Sequence, residues 1–73
     1  MLAIPKHRRL LAEAVRAKRK KAGLSQERLA EKADLSTVFI SRIERGVESP
    51  SLDNLVRIGK ALRVRVRDLV HGI

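Results

Sequence analysis

Cysteine is absent from this chain, which excludes a disulfide framework and any thiolate metal site. Aromatic residues are nearly absent as well. Phe39 is the single one, with no Tyr or Trp, so there is no platform for stacking unpaired bases, which argues against RNA binding. Acidic charge is scarce, with 8 Asp and Glu against 17 Lys and Arg. No apolar run approaches membrane-spanning length. The beginning, Met1, Leu2, Ala3 and Ile4 followed by charge, lacks the apolar core of a signal peptide. A cytoplasmic protein with no membrane partner is therefore expected. His7 and His71 lie near the two ends without metal or catalytic spacing. No nucleophile–base pair and no glycine-rich phosphate loop accompanies them. The expectation is no enzyme activity, no metal, no cofactor and no small-molecule ligand.

Leu, Ile, Val and Ala, by contrast, recur periodically along all 73 residues, the pattern of a chain that folds. One domain, residues 1–73, is expected. A chain of this size buries only about 60% of its unfolded surface, so well-packed helices or a second copy must supply its stability. Its net charge of +9 is far more than solubility needs. The excess is uneven: residues 1–23 hold eight basic side chains against Glu13, whereas residues 24–45 balance. Such an excess in a small domain implies a polyanionic partner, for which nucleic acid is the default.

The spacing predicts five short helices and an all-α domain. Pro5 suits the start of the first, roughly 6–22, where its missing N–H costs nothing. Its stripe is Leu11, Ala14, Val15, Lys18 and Ala22, and Gly23 stops it. Ser25 caps a second helix, about 25–33, because its hydroxyl accepts a free backbone N–H. Leu29, Ala30 and Ala33 give that helix a small-residue face that another helix can cross closely. Ser36 caps the third, about 36–45, which ends at Gly46. Ser51 caps a fourth, with Asp53 in its first turn facing the positive dipole end and Leu52, Leu55, Ile58, Gly59 and Leu62 as its buried face. The alternation from Arg63 to Arg67 reads as a strand, but a lone strand has no partner here. A turn and a fifth helix, about Val66 to Val70, are expected instead.

The third helix carries two oddities. At about 100° per residue, Ser36, Ile40, Ile43 and Glu44 share one face, and Val38, Arg42 and Arg45 share the opposite one. An acid thus falls on the face to be buried, where a charge must be paired or neutralised. A bare valine points outward between arginines. Val38 is either a scattered surface apolar residue or a group aimed at the C5-methyl of thymine. Phe39, between the faces, packs at the rim of the core or touches DNA.

Two short helices joined by a few residues, with Ala30 and Ala33 at their crossing, have the grammar of a helix-turn-helix, whose second helix enters the major groove. The stretch from Leu24 to Leu62 resembles the Cro and phage-repressor family of prokaryotic regulators, the xenobiotic-response-element type. The residues that carry the likeness are Leu24-Ser25-Gln26, Leu29-Ala30, Ile40-Ser41-Arg42-Ile43-Glu44-Arg45-Gly46, Pro50, Ser51-Leu52 and Ala61-Leu62. The resemblance implies a lambda-repressor-like helix-turn-helix DNA-binding domain. It implies that Arg19 pairs with Glu44 as a structural, bidentate ion pair. It also places Val38 in the groove beside Thr37, Ser41 and Arg42, the side chains expected at base edges, with Arg42 suited to guanine O6 and N7. Gln26, at the positive end of the second helix, suits a phosphate oxygen. Ser36, Arg45, Lys20, Lys21 and Ser49 are further phosphate candidates, and for the lysines a solvated face is an equally good reading. Asp34 and Arg63 stand where the family has glycine, and both are expected to adopt the left-handed backbone at modest cost.

The function expected is a sequence-specific transcriptional regulator that binds a palindromic operator in double-stranded DNA as a homodimer. Some of Val56, Val64, Val66, Val70 and Ile73 are expected to form the interface; the alternative is that Val66, Leu69 and Val70 close the monomer core, and for Leu69 that is the favoured role. The short chain is similar to restriction–modification controller proteins and small phage repressors. The alternative of the same fold is an antitoxin that neutralises a toxin by protein contact. A membrane-surface peptide built on the basic first helix is disfavoured, because the later helices have apolar faces of their own.

Overall fold

The computed structural model describes residues 3–73, so the first two residues of the expected domain lie outside the described residues. Three of its helices begin on serine caps. Ser25 Oγ accepts from the Arg28 N–H at 3.0 Å, Ser36 Oγ from the Phe39 N–H at 3.0 Å and Ser51 Oγ from the Asn54 N–H at 3.1 Å. Each bond satisfies one of the orphan donors of a helix start. The helices are α1 Lys6–Lys21, α2 Gln26–Ala33, α3 Thr37–Glu44, α4 Leu52–Leu62 and α5 Val66–Leu69, with no strand among the described residues. The expected spans differ from these by a residue at one end, and for the third helix by a residue at each end. Pro5 sits just before α1 rather than within it.

The turns follow the local chemistry. Asp34 (φ 56°) and Arg63 (φ 59°) both adopt the left-handed conformation expected of them. Each ends a helix with a returning bond, Leu35 N–H to Ala30 O at 2.9 Å and Val64 N–H to Gly59 O at 2.9 Å. Gly59 is required by closeness: a Cβ there would lie 2.9 Å from the Val64 carbonyl oxygen.

α3 packs on α1 and α2, α2 on α4, and α5 on α4 and α1. The core between them comprises Leu11, Val15, Leu29, Ala30, Ala33, Ile40, Ile43, Ile58, Leu62 and Leu69. Ala30 and Ala33 are buried, as the close crossing of α2 requires. The radius of gyration, 11.1 Å, is that of a well-packed chain of this length, about 11 Å.

Three burial expectations need correction. Ala22 is exposed, because α1 has ended before it. Ala12, off the expected stripe, is buried. Leu52 is 67% exposed: it is the first residue of α4 and lies on the flank of the apolar stripe centred on Leu55, Ile58 and Leu62.

Candidate nucleic-acid interface

The acid on the buried face of α3 is satisfied. Glu44 is 5% exposed, and Arg19 grips it with two hydrogen bonds, Nε to Oε2 at 2.6 Å and Nη2 to Oε1 at 2.9 Å. The third guanidinium nitrogen, Nη1, donates to the Leu24 carbonyl oxygen at 2.9 Å. Gln26 Nε2 donates to Glu44 Oε1 at 3.2 Å, and Arg16 Nε lies 3.8 Å from the same oxygen. Burial alone would raise the Glu44 carboxyl. The hydrogen bonds from Arg19 and Gln26, with the charges of Arg19 and Arg16, outweigh it and hold the carboxyl below the ordinary carboxylate range. The hydrogen bond to Glu44 likewise holds Arg19 above its ordinary value. A single carboxylate thereby ties the end of α1, the start of α2 and the end of α3 together, which fixes how the two helices of the motif cross.

The far side of α3 faces outward. Val38 is 68% exposed, Arg42 and Arg45 are exposed, and Thr37 and Ser41 are half-buried beside them. All four expected base-reading residues therefore sit on one short helix braced from behind. Phe39 packs at the rim of the core. Arg42 has a partner that the helical pattern does not reveal: its Nε donates to Glu48 Oε1 at 3.1 Å.

The phosphate candidates are dispersed. Gln26 is the first residue of α2, with its amide held by Glu44. Ser36 is exposed, and its oxygen is engaged in capping. Arg45 follows α3, and Ser49 is exposed in the loop before α4. Lys20 is exposed on the last turn of α1. Lys21 borders a shallow cleft with Lys18, Leu62, Arg63 and Val64, so it stands beside the end of α4.

Sequence reasoning also missed Arg57, whose Nη1 donates to the Asp34 carbonyl oxygen at 3.3 Å and so tethers α4 to the turn of the motif. Of the missed contacts to Glu44, Asp34 and Arg42, that of Arg16 had a local signal, because it lies three residues before Arg19 on the same helix face. Among the described residues, no group of three or more His, Asp or Glu is placed to hold a metal ion, and no helix is long and apolar enough to cross a membrane.

The helix-turn-helix family model HTH_3 matches residues 15–69. The control protein C.BamHI of Bacillus amyloliquefaciens is 50% identical over 50 residues, 68% of this chain and 62% of that protein. Repressor protein C2 of Salmonella phage P22 is 36% identical over 63 residues, 86% of this chain and 29% of that protein. The chain thus spans less than two thirds of either relative. Among solved structures, the restriction–modification controller protein C.AhdI from Aeromonas hydrophila superposes with a TM-score of 0.83 at 32% identity, covering 85% of this chain and 94% of that one. With the family model matched over residues 15–69 and the helices superposing on that controller protein, the chain belongs to the helix-turn-helix family, in its Cro and repressor type.

Proposed function

We propose that the chain is a sequence-specific DNA-binding transcriptional regulator of the controller-protein kind, which binds a palindromic operator as a homodimer with α3 in the major groove. The observation that carries this reading is the outward face of α3. An exposed valine stands between two exposed arginines on a helix whose opposite face is locked to α1 and α2. Water offers Val38 nothing, whereas a thymine methyl buries it. Thr37, Ser41 and Arg42 flank it and reach base edges. The N–H groups at the start of α2 meet a phosphate at Gln26, and Ser36, Arg45, Ser49, Lys20 and Lys21 add sequence-independent attraction. The chemistry calls for no enzymatic step, cofactor or small ligand, and a cytoplasmic location follows from the partner.

A single recognition helix reads too few base pairs to find a site in a genome. Two copies on a twofold axis read half-sites about one helical turn apart. Val56 and Ile73 are exposed at 37% and 59%, and Val66 is half-buried. Leu52, one turn before Val56, adds exposed apolar surface. Val64 and Val70 already pack against the core and present only their outer edges to a partner. Selection of bound duplexes from a random pool tests the reading: a palindromic consensus is expected, and enrichment of no sequence would overturn it.

A further inference from the structure

The loop between α3 and α4 brings an acid to the outward face of a strongly basic protein. The Gly46 N–H donates to Ile43 O at 3.0 Å and the Val47 N–H to Arg42 O at 3.1 Å, a Schellman turn that folds the chain back past the end of α3. At the other end, Pro50 restricts Ser49 to extended backbone and Ser51 caps α4. Glu48 is thus delivered from a loop pinned on both sides, and its side chain is only 30% exposed. Its Oε1 accepts from Arg42 Nε at 3.1 Å.

We infer that Glu48 is a positioning residue for base recognition, holding the Arg42 guanidinium side-on through Nε so that its terminal nitrogens are presented end-on to guanine. The inference rests on the reading of α3 as the recognition helix. A guanidinium offers donors along two edges. The contact with Glu48 uses Nε and leaves the Nη1 and Nη2 pair for O6 and N7, the bidentate partners of arginine in the major groove. A free arginine samples many rotamers, and the ion pair removes part of that freedom before binding. The Glu48 carboxylate also opposes Arg42's attraction to phosphate, so the pair adds little to sequence-independent affinity and reserves Arg42 for a base.

Base preference, measured by selection from a random duplex pool, distinguishes this role from a merely structural one. Thermal melts check that each variant folds. Arg42→Ala should flatten preference at one base pair, by about 5- to 150-fold. Glu48→Ala should flatten preference at that same base pair by about two- to fivefold, the scale of a surface ion pair. Glu48→Gln, which keeps an acceptor, should flatten it less. In the Arg42→Ala background, Glu48→Ala should change no preference. The inference is overturned if Glu48→Ala leaves that base pair read as in the parent while Arg42→Ala does not, or if its effect persists without Arg42. If Arg42→Ala itself leaves the profile unchanged, the recognition-helix reading falls and this inference with it.

Discussion

Arg19 and Glu44, 25 residues apart, form a two-pronged ion pair in which the glutamate side chain is fully buried and the arginine side chain is 12% exposed. Removing either partner strands a charge next to the core. Glu44→Ala should therefore destabilise the fold by roughly 3–5 kcal/mol. The double variant Arg19→Ala with Glu44→Ala should cost less than the sum of the single losses. Urea melts of the four proteins measure the coupling, and additive losses would contradict it.

The same pair sets a pH dependence. The Glu44 carboxyl is held below its ordinary range in the folded chain, so the folded state binds this proton less readily than the unfolded state. Its contribution is fully present above the unfolded carboxylate value, about 4.3, and is lost as pH falls through the lower folded value. Stability should drop in that acid window, and Glu44→Gln should show a shallower drop in urea midpoints.

At the interface, Arg42→Ala should cost about 1–3 kcal/mol on the selected operator and relax one base position. Lys20→Ala should weaken all duplexes alike and reduce the slope of log affinity against log salt by about one. Fluorescence anisotropy titrations at several salt concentrations check both. A Lys20→Ala effect confined to the operator would contradict its phosphate role.

Two backbone positions should respond in opposite senses. Arg63 occupies a left-handed conformation that glycine adopts freely, and Arg63→Gly should stabilise the chain by about 0.5–1 kcal/mol. Gly59 lies within α4, where alanine is ordinarily the better helix former. Its added Cβ would meet the Val64 carbonyl at 2.9 Å, so Gly59→Ala should destabilise by about 1–3 kcal/mol. Thermal melts of the two variants give the signs directly.

Assembly is open to sedimentation at micromolar concentration. A dimer is expected, and Val56→Glu with Val66→Glu should shift it toward monomer and weaken operator binding. Monomer in the parent protein, with operator binding unaffected by these changes, would rule the surface out.

Much of the architecture is written locally. A serine before an apolar-periodic run and an N–H three residues later that donates to it are events within a few residues, so Ser25, Ser36 and Ser51 could be read from the chain alone, whereas the left-handed Arg63 was expected only through the family likeness. The phase of α3 likewise put Glu44 inward and Val38 outward, because helical periodicity decides faces before any packing occurs. Its partner Arg19 came only from a family likeness, since nothing in the spacing joins residues on different helices.

Burial at the margins and contacts between elements were decided by tertiary structure. Ala12 is covered because of where neighbouring helices lie across it, a matter of crossing geometry rather than sequence period, while Leu52 is bare because it opens α4 on the flank of the apolar stripe. Gln26 reaches Glu44, Arg57 reaches Asp34, and Glu48 reaches Arg42 only after the loops have set directions that no local rule specifies. The outward residues of the third helix were thus determined by the chain's own pattern. The brace that holds that helix and the acid that orients Arg42 exist only once the helices have packed, because each is a contact between segments that meet in space and not along the chain.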